Sequence, residues 1–349
     1  MVKSRTAWRV VIATPYLAAA NNGNWRTAAR WARLLAQDYE VIVQASDAPL
    51  PRACDTLIAL HARRSRTAVA RWREEGRDGA VVVALTGTDL YRDISEHDPD
   101  AVASLAAADG LIVLQEHALT AVPARYRSKT RVVYQSARTL TPRPDRTRAG
   151  GRLACVLVAH LRPEKDPETV LAAWCALDRR AALRLTVVGE ALDKALGAAL
   201  KAAVAQDARI QWQGARSHAW TRQAIKRADL LICSSRMEGG ANVVVEAVTA
   251  GTPVLASRMS GNLGMLGEDY AGYFPVGDAA ALARLVARCA EDPSFTARLG
   301  RQCAARAPLF APAAERAALR AAIDAAHAVR SQDAVAQGVL LSSPRKDTR

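Results

Sequence analysis

Two carboxylates frame a glycine-rich segment, "EGGANVVVE", in which seven residues separate Glu238 from Glu246. The apolar run "DLLICSS" precedes it and the helical pattern "NVVVEAVTA" follows, which predicts a turn from a strand into a helix. At such a turn Gly239 and Gly240 let backbone N–H groups approach a ligand, and the helix N-terminus favours an anion. A phosphate held there, with carboxylates accepting from hydroxyls, describes a nucleotide-sugar site. The alternative is an ordinary capped surface turn.

Basic and small residues follow other strands of the same half, in "AHLRPEKDPETVLAAW", "VVGE" and "WQGARS". Arg162 and Lys165 are two cations that could neutralise a diphosphate and stabilise it as a leaving group. Gly189, Gly214 and Ala215 end the next two predicted strands at the same edge. A solvated surface pair is the alternative for the two cations, and their position on this edge argues against it.

The elements that would position these residues are short apolar strands that alternate with helices. Candidate strands lie at 9–15, 39–45, 55–61, 80–87, 110–115 and 131–136, and then at 153–159, 183–189, 209–214, 229–234 and 253–257. Runs of this kind suit parallel sheets that are buried on both faces. The series predicts an α/β protein of two consecutive, Rossmann-like, doubly wound domains. Two such sheets facing each other would leave a cleft at their carboxyl edges.

The domain organisation follows from breaks in this alternation. The stretch "RTLTPRPDRTRAGGR" is rich in Pro, Arg and Gly and indicates a linker. The last part contains an Ala-rich amphipathic pattern and then a segment without a period. The predicted division is an N-terminal domain at 1–140, a linker at 141–152, a C-terminal domain at 153–309, a helix at 310–332 and a flexible tail at 333–349.

Composition limits the classes of function. The formal charge of +14 suggests nucleic-acid binding, but the basic residues are spread through helices and only 5% of residues are aromatic. Anionic small-molecule substrates account for the arginines equally well, so we expect no nucleic-acid partner. No apolar run is long enough to span a membrane and no signal peptide is evident. The scattered cysteines predict a reduced, cytoplasmic protein without a metal cluster.

The second half resembles glycosyltransferase family 4, which has the GT-B fold. The family signature is a basic loop, then V-G-x-G, then two acids separated by seven residues, then A-x-x-x-G-x-P-V. Here it appears as Lys165, "VVGEA", the two glutamates and "AVTAGTPV". Ala191 stands in place of the second glycine. His160 replaces the arginine that usually begins the basic loop, and Arg162 could supply the missing charge.

The resemblance implies roles for residues of this half. Glu246 would bind the ribose hydroxyls of a UDP-sugar and Glu238 would contact the donor sugar. The diphosphate would be held by the residues that open the helix, namely Gly239, Gly240, Ala241 and Asn242. Enzymes of this group generally stabilise the leaving group with cations and helix dipoles, so we expect no metal and no cofactor. Asp98 and Asp100 are then interpreted as helix-start or turn residues.

The first half resembles a narrower group, the selenosugar synthases of selenoneine biosynthesis. The segments that carry the resemblance are "TPYLAAANNGNWRTAARWARLL", "CDTLIALHARRS" and "VVVALTGTDLYRDI". Those enzymes join selenophosphate to the anomeric carbon of a UDP-sugar, here UDP-glucose or UDP-N-acetylglucosamine. The resemblance also implies a link to a downstream selenoneine synthase. By position, Gly23 and Asn24 would approach the donor phosphates and His61 would be functional at a strand end.

Selenophosphate is multiply anionic and has no carbon skeleton, so fixed cations and polar groups must hold it. The candidates at the strand ends of the first half are Asn22, Arg26, Arg63, Arg64 and Thr88. Three alternatives stay open: a family 4 transferase with a hydroxyl acceptor, a UDP-sugar epimerase of the same fold, and a basic nucleic-acid-binding protein. Steady UDP release that requires an acceptor would favour transfer over the last two.

Overall fold

The computed structural model describes residues 8–18, 23–141 and 151–341, with side chains as far as residue 332. One compact unit contains the described residues up to Val133 and those from Glu315 onward. The other unit is Tyr134–Ala314. Each unit contains a six-stranded sheet in which every pairing is parallel. The prediction of two doubly wound α/β domains is therefore confirmed.

The first unit has its strands in the order β2-β1-β3-β4-β5-β6. These are β1 Arg9–Thr14, β2 Glu40–Ala45, β3 Thr56–Leu60, β4 Ala80–Leu85, β5 Gly110–Val113 and β6 Thr130–Val132. Its helices before the linker are α1 Gly23–Leu35, α2 Arg66–Glu74, α3 Pro99–Ala107 and α4 Ala118–Ala121. Every residue of β3, β4 and β5 is buried, because helices cover both faces of the sheet.

The second unit has the strand order β12-β11-β10-β7-β8-β9. Its strands are β7 Leu153–Val158, β8 Leu183–Val188, β9 Ile210–Trp212, β10 Leu230–Cys233, β11 Val254–Ser257 and β12 Tyr273–Phe274. Its helices are α5 Pro167–Ala176, α6 Lys194–Gln206, α7 His218–Arg227, α8 Asn242–Thr249, α9 Ser260–Leu266, α10 Ala279–Glu291 and α11 Pro293–Arg306. Because β7 and β10 are central neighbours, the loops that follow them lie side by side at the carboxyl edge.

Two strand predictions differ from the structure. The predicted strand at 131–136 ends at Val132, because the following residues pack on the second unit. There the Ala137 amide donates to the Phe310 carbonyl at 3.2 Å, and the Leu140 amide donates to the Thr249 carbonyl at 3.0 Å. The two-residue strand β12 was not predicted, since a pair of residues carries no periodic pattern.

A last helix, α12 Pro312–Leu341, begins in the second unit and packs on the first. The buried Glu315 carboxylate accepts from the Trp31 indole at 2.7 Å and pairs with Arg30 at 3.0 Å. The helix continues to Leu341, so it extends beyond the predicted helix at 310–332 into the segment predicted as a flexible tail at 333–349. This extension has no proline to stop a helix, although it lacks an amphipathic period. No described helix has the length and apolar character that crossing a membrane requires.

Candidate functional site

The turn between β10 and α8 holds Glu238 in a network at the carboxyl edge of the second sheet. One Glu238 carboxylate oxygen accepts from the Ser235 hydroxyl at 2.7 Å and is paired with the Lys165 ammonium group. Gly261 fits against the same turn, since a Cβ atom there would lie 2.2 Å from the Glu238 carbonyl oxygen. The structure therefore brings together two of the predicted catalytic residues, from loops that are far apart in sequence.

The basic loop after β7 is anchored to this turn by Arg236, which was not predicted. The Arg236 guanidinium pairs with Asp166 at 3.1 Å, and its backbone amide donates to the Glu164 carbonyl at 2.8 Å. Asp166 also caps α5, since its carboxylate accepts from the Thr169 amide at 3.4 Å, and it accepts from the Thr169 hydroxyl at 2.7 Å. Arg162, in the same loop, is exposed. A loop fastened in this way presents Lys165 and Arg162 on a rigid base.

Glu246 lies in the second turn of α8, with its side chain only 11% exposed. One carboxylate oxygen lies 2.7 Å from Nε2 of His218, the first residue of α7. The buried Arg222, one turn further along α7, donates to the Glu246 backbone carbonyl at 3.3 Å and to the Thr249 hydroxyl at 3.1 Å. Neither His218 nor Arg222 was predicted. The signal for His218 was its place in a first helical turn, four residues after Gly214.

Close backbone contacts and positive φ angles explain why small residues stand at the ends of β8 and β9. Gly189 has φ +150, and a Cβ atom there would lie 1.8 Å from the Ala159 carbonyl oxygen. Its amide donates to the Gly214 carbonyl at 2.9 Å, and Gly214 has φ +63. His160 accepts from the Glu190 amide at 3.2 Å through Nδ1, so its ring helps to fix the same edge. Ala215 follows as part of the loop that leads into α7.

The N-terminus of α8 carries the residues predicted to hold a diphosphate. Ala241 is the N-cap and has no side-chain acceptor for the first-turn N–H groups. Asn242 begins the helix, and Gly239 and Gly240 lie in the turn before it. Neither glycine has a positive φ, so their small size rather than an unusual backbone distinguishes them. Binding of a diphosphate by the backbone N–H groups at this end of α8 stays a prediction.

In the first unit His61 lies at the end of β3 and is only 1% exposed. It has φ +75, and its Nε2 lies 3.0 Å from the Thr88 hydroxyl. Asp89 fixes the backbone around His61, since its carboxylate accepts from the amides of Ala62 and Gly87, both at 2.9 Å. Burial lowers the pKa of His61, and the nearby Asp89 only partly opposes this. The imidazole is therefore uncharged at neutral pH and is enclosed by protein.

The two arginines after His61 have different environments. The Arg63 guanidinium Nε lies 3.0 Å from Asp93, whose other oxygen lies 3.1 Å from Arg92. Arg64 is exposed and donates to the Tyr16 hydroxyl, with its guanidinium 5.3 Å from the ring centre. The partner of Arg64 is thus a phenol hydroxyl, whereas the Asp93 carboxylate neutralises part of the charge of Arg63.

The remaining predicted residues of the first unit open α1. Gly23 is exposed at the start of the helix, and Asn24 and Arg26 are partly exposed in its first turn. Asn22 lies outside the described residues. Among the described side chains, no group of three or more His, Cys, Asp and Glu is placed to hold a metal ion. Metal independence stays a prediction. Asp98 caps α3 by accepting from the Ala101 amide at 2.9 Å, which confirms its interpretation as a helix-start residue.

The unit that contains this site is similar to a known protein family. Residues 143–306 match the family described as "Glycosyl transferases group 1". These residues are similar to a group 1 glycosyltransferase domain. The match covers most of the unit that carries Lys165, Glu238 and Glu246, and it ends before α12. The fold of the whole described chain is GT-B.

Individual relatives agree with this family. The chain is 30% identical over 233 residues to a D-inositol 3-phosphate glycosyltransferase from Streptomyces avermitilis, covering 59% of this chain. It spans about half (49%) of the length of that relative. Anabaena HepE, solved with UDP and glucose, has a TM-score of 0.73 at 17% identity, covering 91% of this chain and 99% of that one. Sucrose-phosphate synthase from Thermosynechococcus elongatus has a TM-score of 0.69 at 18% identity, covering 96% and 100%. At these identities the two structures show the fold alone.

Proposed function

We propose that this protein transfers a sugar from a UDP-sugar to selenophosphate. The observation that carries the donor half is the pairing of Lys165 with Glu238 beside the uncapped N-terminus of α8, within a group 1 domain. The fold relative from Anabaena was solved with UDP and glucose, which agrees with a UDP-sugar donor. UDP-glucose and UDP-N-acetylglucosamine are the two donors we propose.

In this proposal the donor is bound by charge and hydroxyl contacts at one sheet edge. The diphosphate takes the backbone donors of α8, and Lys165 and Arg162 neutralise its charge. Glu246 accepts from the ribose hydroxyls. Glu238 accepts from the donor sugar, and its pairing with Lys165 links the group that holds the sugar to the cation that stabilises the leaving phosphate.

The transfer step is a displacement at the anomeric carbon. A selenium lone pair of selenophosphate attacks C1, the C1–O bond to the β-phosphate breaks, and UDP leaves with the bonding electrons. Water then cleaves the Se–P bond, which releases inorganic phosphate and the 1-seleno-sugar. Because charge grows on the β-phosphate oxygen as C1–O breaks, preorganised cations lower this barrier most.

The acceptor half of the proposal rests on the resemblance of the first unit to selenosugar synthases and on its charges. Among the described residues, the exposed Arg64 has the Tyr16 hydroxyl as its partner and no carboxylate within ion-pair distance, and Arg26 lies in the first turn of α1. The Thr88 hydroxyl, next to the His61 imidazole, offers a polar group at the end of β4. A selenophosphate anion needs no general base, because its selenium is already nucleophilic.

A hydroxyl acceptor is the second candidate, and one observation favours it. A hydroxyl must lose a proton during transfer, and the lowered pKa of His61 keeps its imidazole in the neutral form that can accept one. The relative from Streptomyces is named for an acceptor that carries both hydroxyls and a phosphate. Thr88, which contacts His61, could then relay the proton.

Mass spectrometry of the products separates these two functions. The enzyme is incubated with each UDP-sugar alone, with selenophosphate, or with D-inositol 3-phosphate. We expect UDP release and a selenium-containing sugar only when selenophosphate is present. UDP release with a glycosylated inositol phosphate and no selenosugar would instead establish the hydroxyl acceptor.

A double variant tests the acceptor site itself. Arg26→Ala with Arg64→Ala should abolish selenosugar formation while UDP binding is kept, because only the acceptor side loses charge. Arg33→Ala, at an exposed position near the other end of α1, is the matched control and should leave the product unchanged. Normal selenosugar formation by the double variant would contradict this acceptor site.

A further inference from the structure

The contact between α7 and α8 has a feature that the donor proposal does not explain. Among the described residues, the Glu246 carboxylate has one side-chain partner, the imidazole of His218 at 2.7 Å. The two groups differ in exposure, since the Glu246 side chain is 11% exposed and that of His218 is 56% exposed. A mostly buried carboxylate without a partner is costly, so the contact is more than a surface ion pair.

The first turn of α7 is held firmly in this position. Ser217 is the N-cap, with its hydroxyl accepting from the Trp220 amide at 3.3 Å and its carbonyl accepting from the Thr221 hydroxyl at 3.0 Å. Arg222, one turn after His218 on the same face of α7, donates to the backbone carbonyl of Glu246. The carboxylate and the backbone of Glu246 are thus held from one helix.

We infer that His218 is a positioning residue for the nucleotide site. It fixes one oxygen of the Glu246 carboxylate, so that the other is aimed at the ribose hydroxyls of UDP. The inference rests on the proposed function, because it takes Glu246 as the acceptor for a ribose diol. His218 begins α7 directly after the short loop that contains Gly214 and Ala215, so this loop leads into the residue that orients Glu246.

The experiment is a binding cycle by calorimetry with two ligands, UDP and 2′,3′-dideoxy-UDP. The wild-type protein should bind UDP more tightly, since only UDP has ribose hydroxyls. In His218→Ala the affinity for UDP should fall about threefold to tenfold, the effect of one ordinary hydrogen bond. The affinity for the dideoxy ligand should stay unchanged, because it makes no contact with Glu246.

Two further variants separate positioning from general support of the fold. His218→Gln keeps an N–H donor at a similar reach, and it should recover most of the UDP affinity. Lys226→Ala, near the other end of α7, is the matched control and should bind both ligands as the wild type does. An equal loss for both ligands in His218→Ala would overturn the inference, since it would mean that His218 only supports the loop.

The remaining outcomes also test the inference, the proposed donor or both. Unchanged UDP affinity in His218→Ala overturns the inference. A gain in UDP affinity overturns it too, because His218 would then compete with the ribose. If the wild-type protein binds no UDP at all, the proposed donor fails and the inference fails with it. If the wild type binds UDP normally and only the His218 variants behave otherwise than stated, the proposed function stands.

Discussion

Replacing Lys165 with alanine tests the chemistry of the donor site most directly. The Lys165 ammonium group is paired with Glu238, and its side chain is 22% exposed. In the proposed reaction it faces a phosphate whose negative charge increases as the glycosidic bond breaks. The variant should therefore lower the turnover number more than it weakens the binding of the donor.

The magnitude follows from the surroundings of the ammonium group. Removal of one preorganised donor to a developing oxyanion costs about 10²–10³ in kcat. Lys165 is partly exposed, and Arg162 and the N-terminus of α8 remain to share the charge. We therefore expect a loss at or just below the lower end of that range, about 30- to 100-fold in kcat or about 2–2.7 kcal/mol in the barrier. The dissociation constant of UDP should rise by no more than about fivefold, roughly 1 kcal/mol.

The assay measures UDP release at saturating donor and acceptor, and calorimetry measures UDP binding separately. Lys201→Ala, an exposed lysine of α6, is the control and should match the wild type in both. If the Michaelis constant of Lys165→Ala rose while kcat stayed constant, the lysine would be a uniform binder and the reasoning would be refuted.

A second control separates the effect of Lys165 on the leaving phosphate from its effect on the charge of Glu238. Without Lys165 the Glu238 carboxylate keeps only the Ser235 hydroxyl as a partner among the described side chains, and this alone could disturb the site. The double variant of Lys165→Ala with Glu238→Gln removes that unpaired charge. If it is as active as Glu238→Gln alone, Lys165 serves only to neutralise Glu238. A further loss of about 30-fold supports its action on the leaving group.

Three other predictions follow from described contacts. Glu246→Ala should weaken UDP binding by about 1.5–3 kcal/mol, measured by calorimetry, whereas Glu291→Ala on an exposed helix end should not. Gly189→Ala should lower the free energy of unfolding by about 2–4 kcal/mol in urea titrations, because its methyl group would collide with the Ala159 carbonyl; an unchanged midpoint would contradict this. Burial lowers the pKa of His327, so protonation favours the unfolded chain and stability should fall as the pH drops below about 6.5. His327→Gln should reduce that fall in thermal melts, and an identical pH profile would count against it.

The sequence predicted the architecture because buried parallel strands have a direct signature. Runs such as "AVVVAL" have no polar position, and their carboxyl ends share one edge whatever the connecting helices do. Glu238 and Glu246 could be assigned to that edge for the same reason. Their tertiary environment could not be, because His218 reaches Glu246 from the start of α7, and Arg236 joins the Glu238 turn to Asp166 in the loop after β7, which is distant in sequence. Such contacts depend on which loops adjoin in space, and no periodic pattern encodes that.

The environment of the predicted acceptor residues could not be predicted from the sequence pattern either. In the sequence, His61 followed by Arg63 and Arg64 predicts an exposed, positively charged strand end. In the structure His61 is enclosed, Arg63 faces Asp93, and Arg64 donates to the Tyr16 hydroxyl. The carboxylates that make this difference, Asp89 and Asp93, lie in a π-helical turn, a local geometry without a reliable sequence signal.

The return of α12 to the first unit has a consequence for synthesis on the ribosome. One face of the first sheet, which packs on α2 and α3, is complete once the chain up to Val133 has emerged. The other face packs on Trp31 and its neighbours in α1, and it needs Leu319 and Ile323 from α12 to complete its core. The second unit is translated in between and can finish folding first. Until α12 emerges, the part of this face that α1 does not cover stays exposed, so we expect chaperones to bind there during translation.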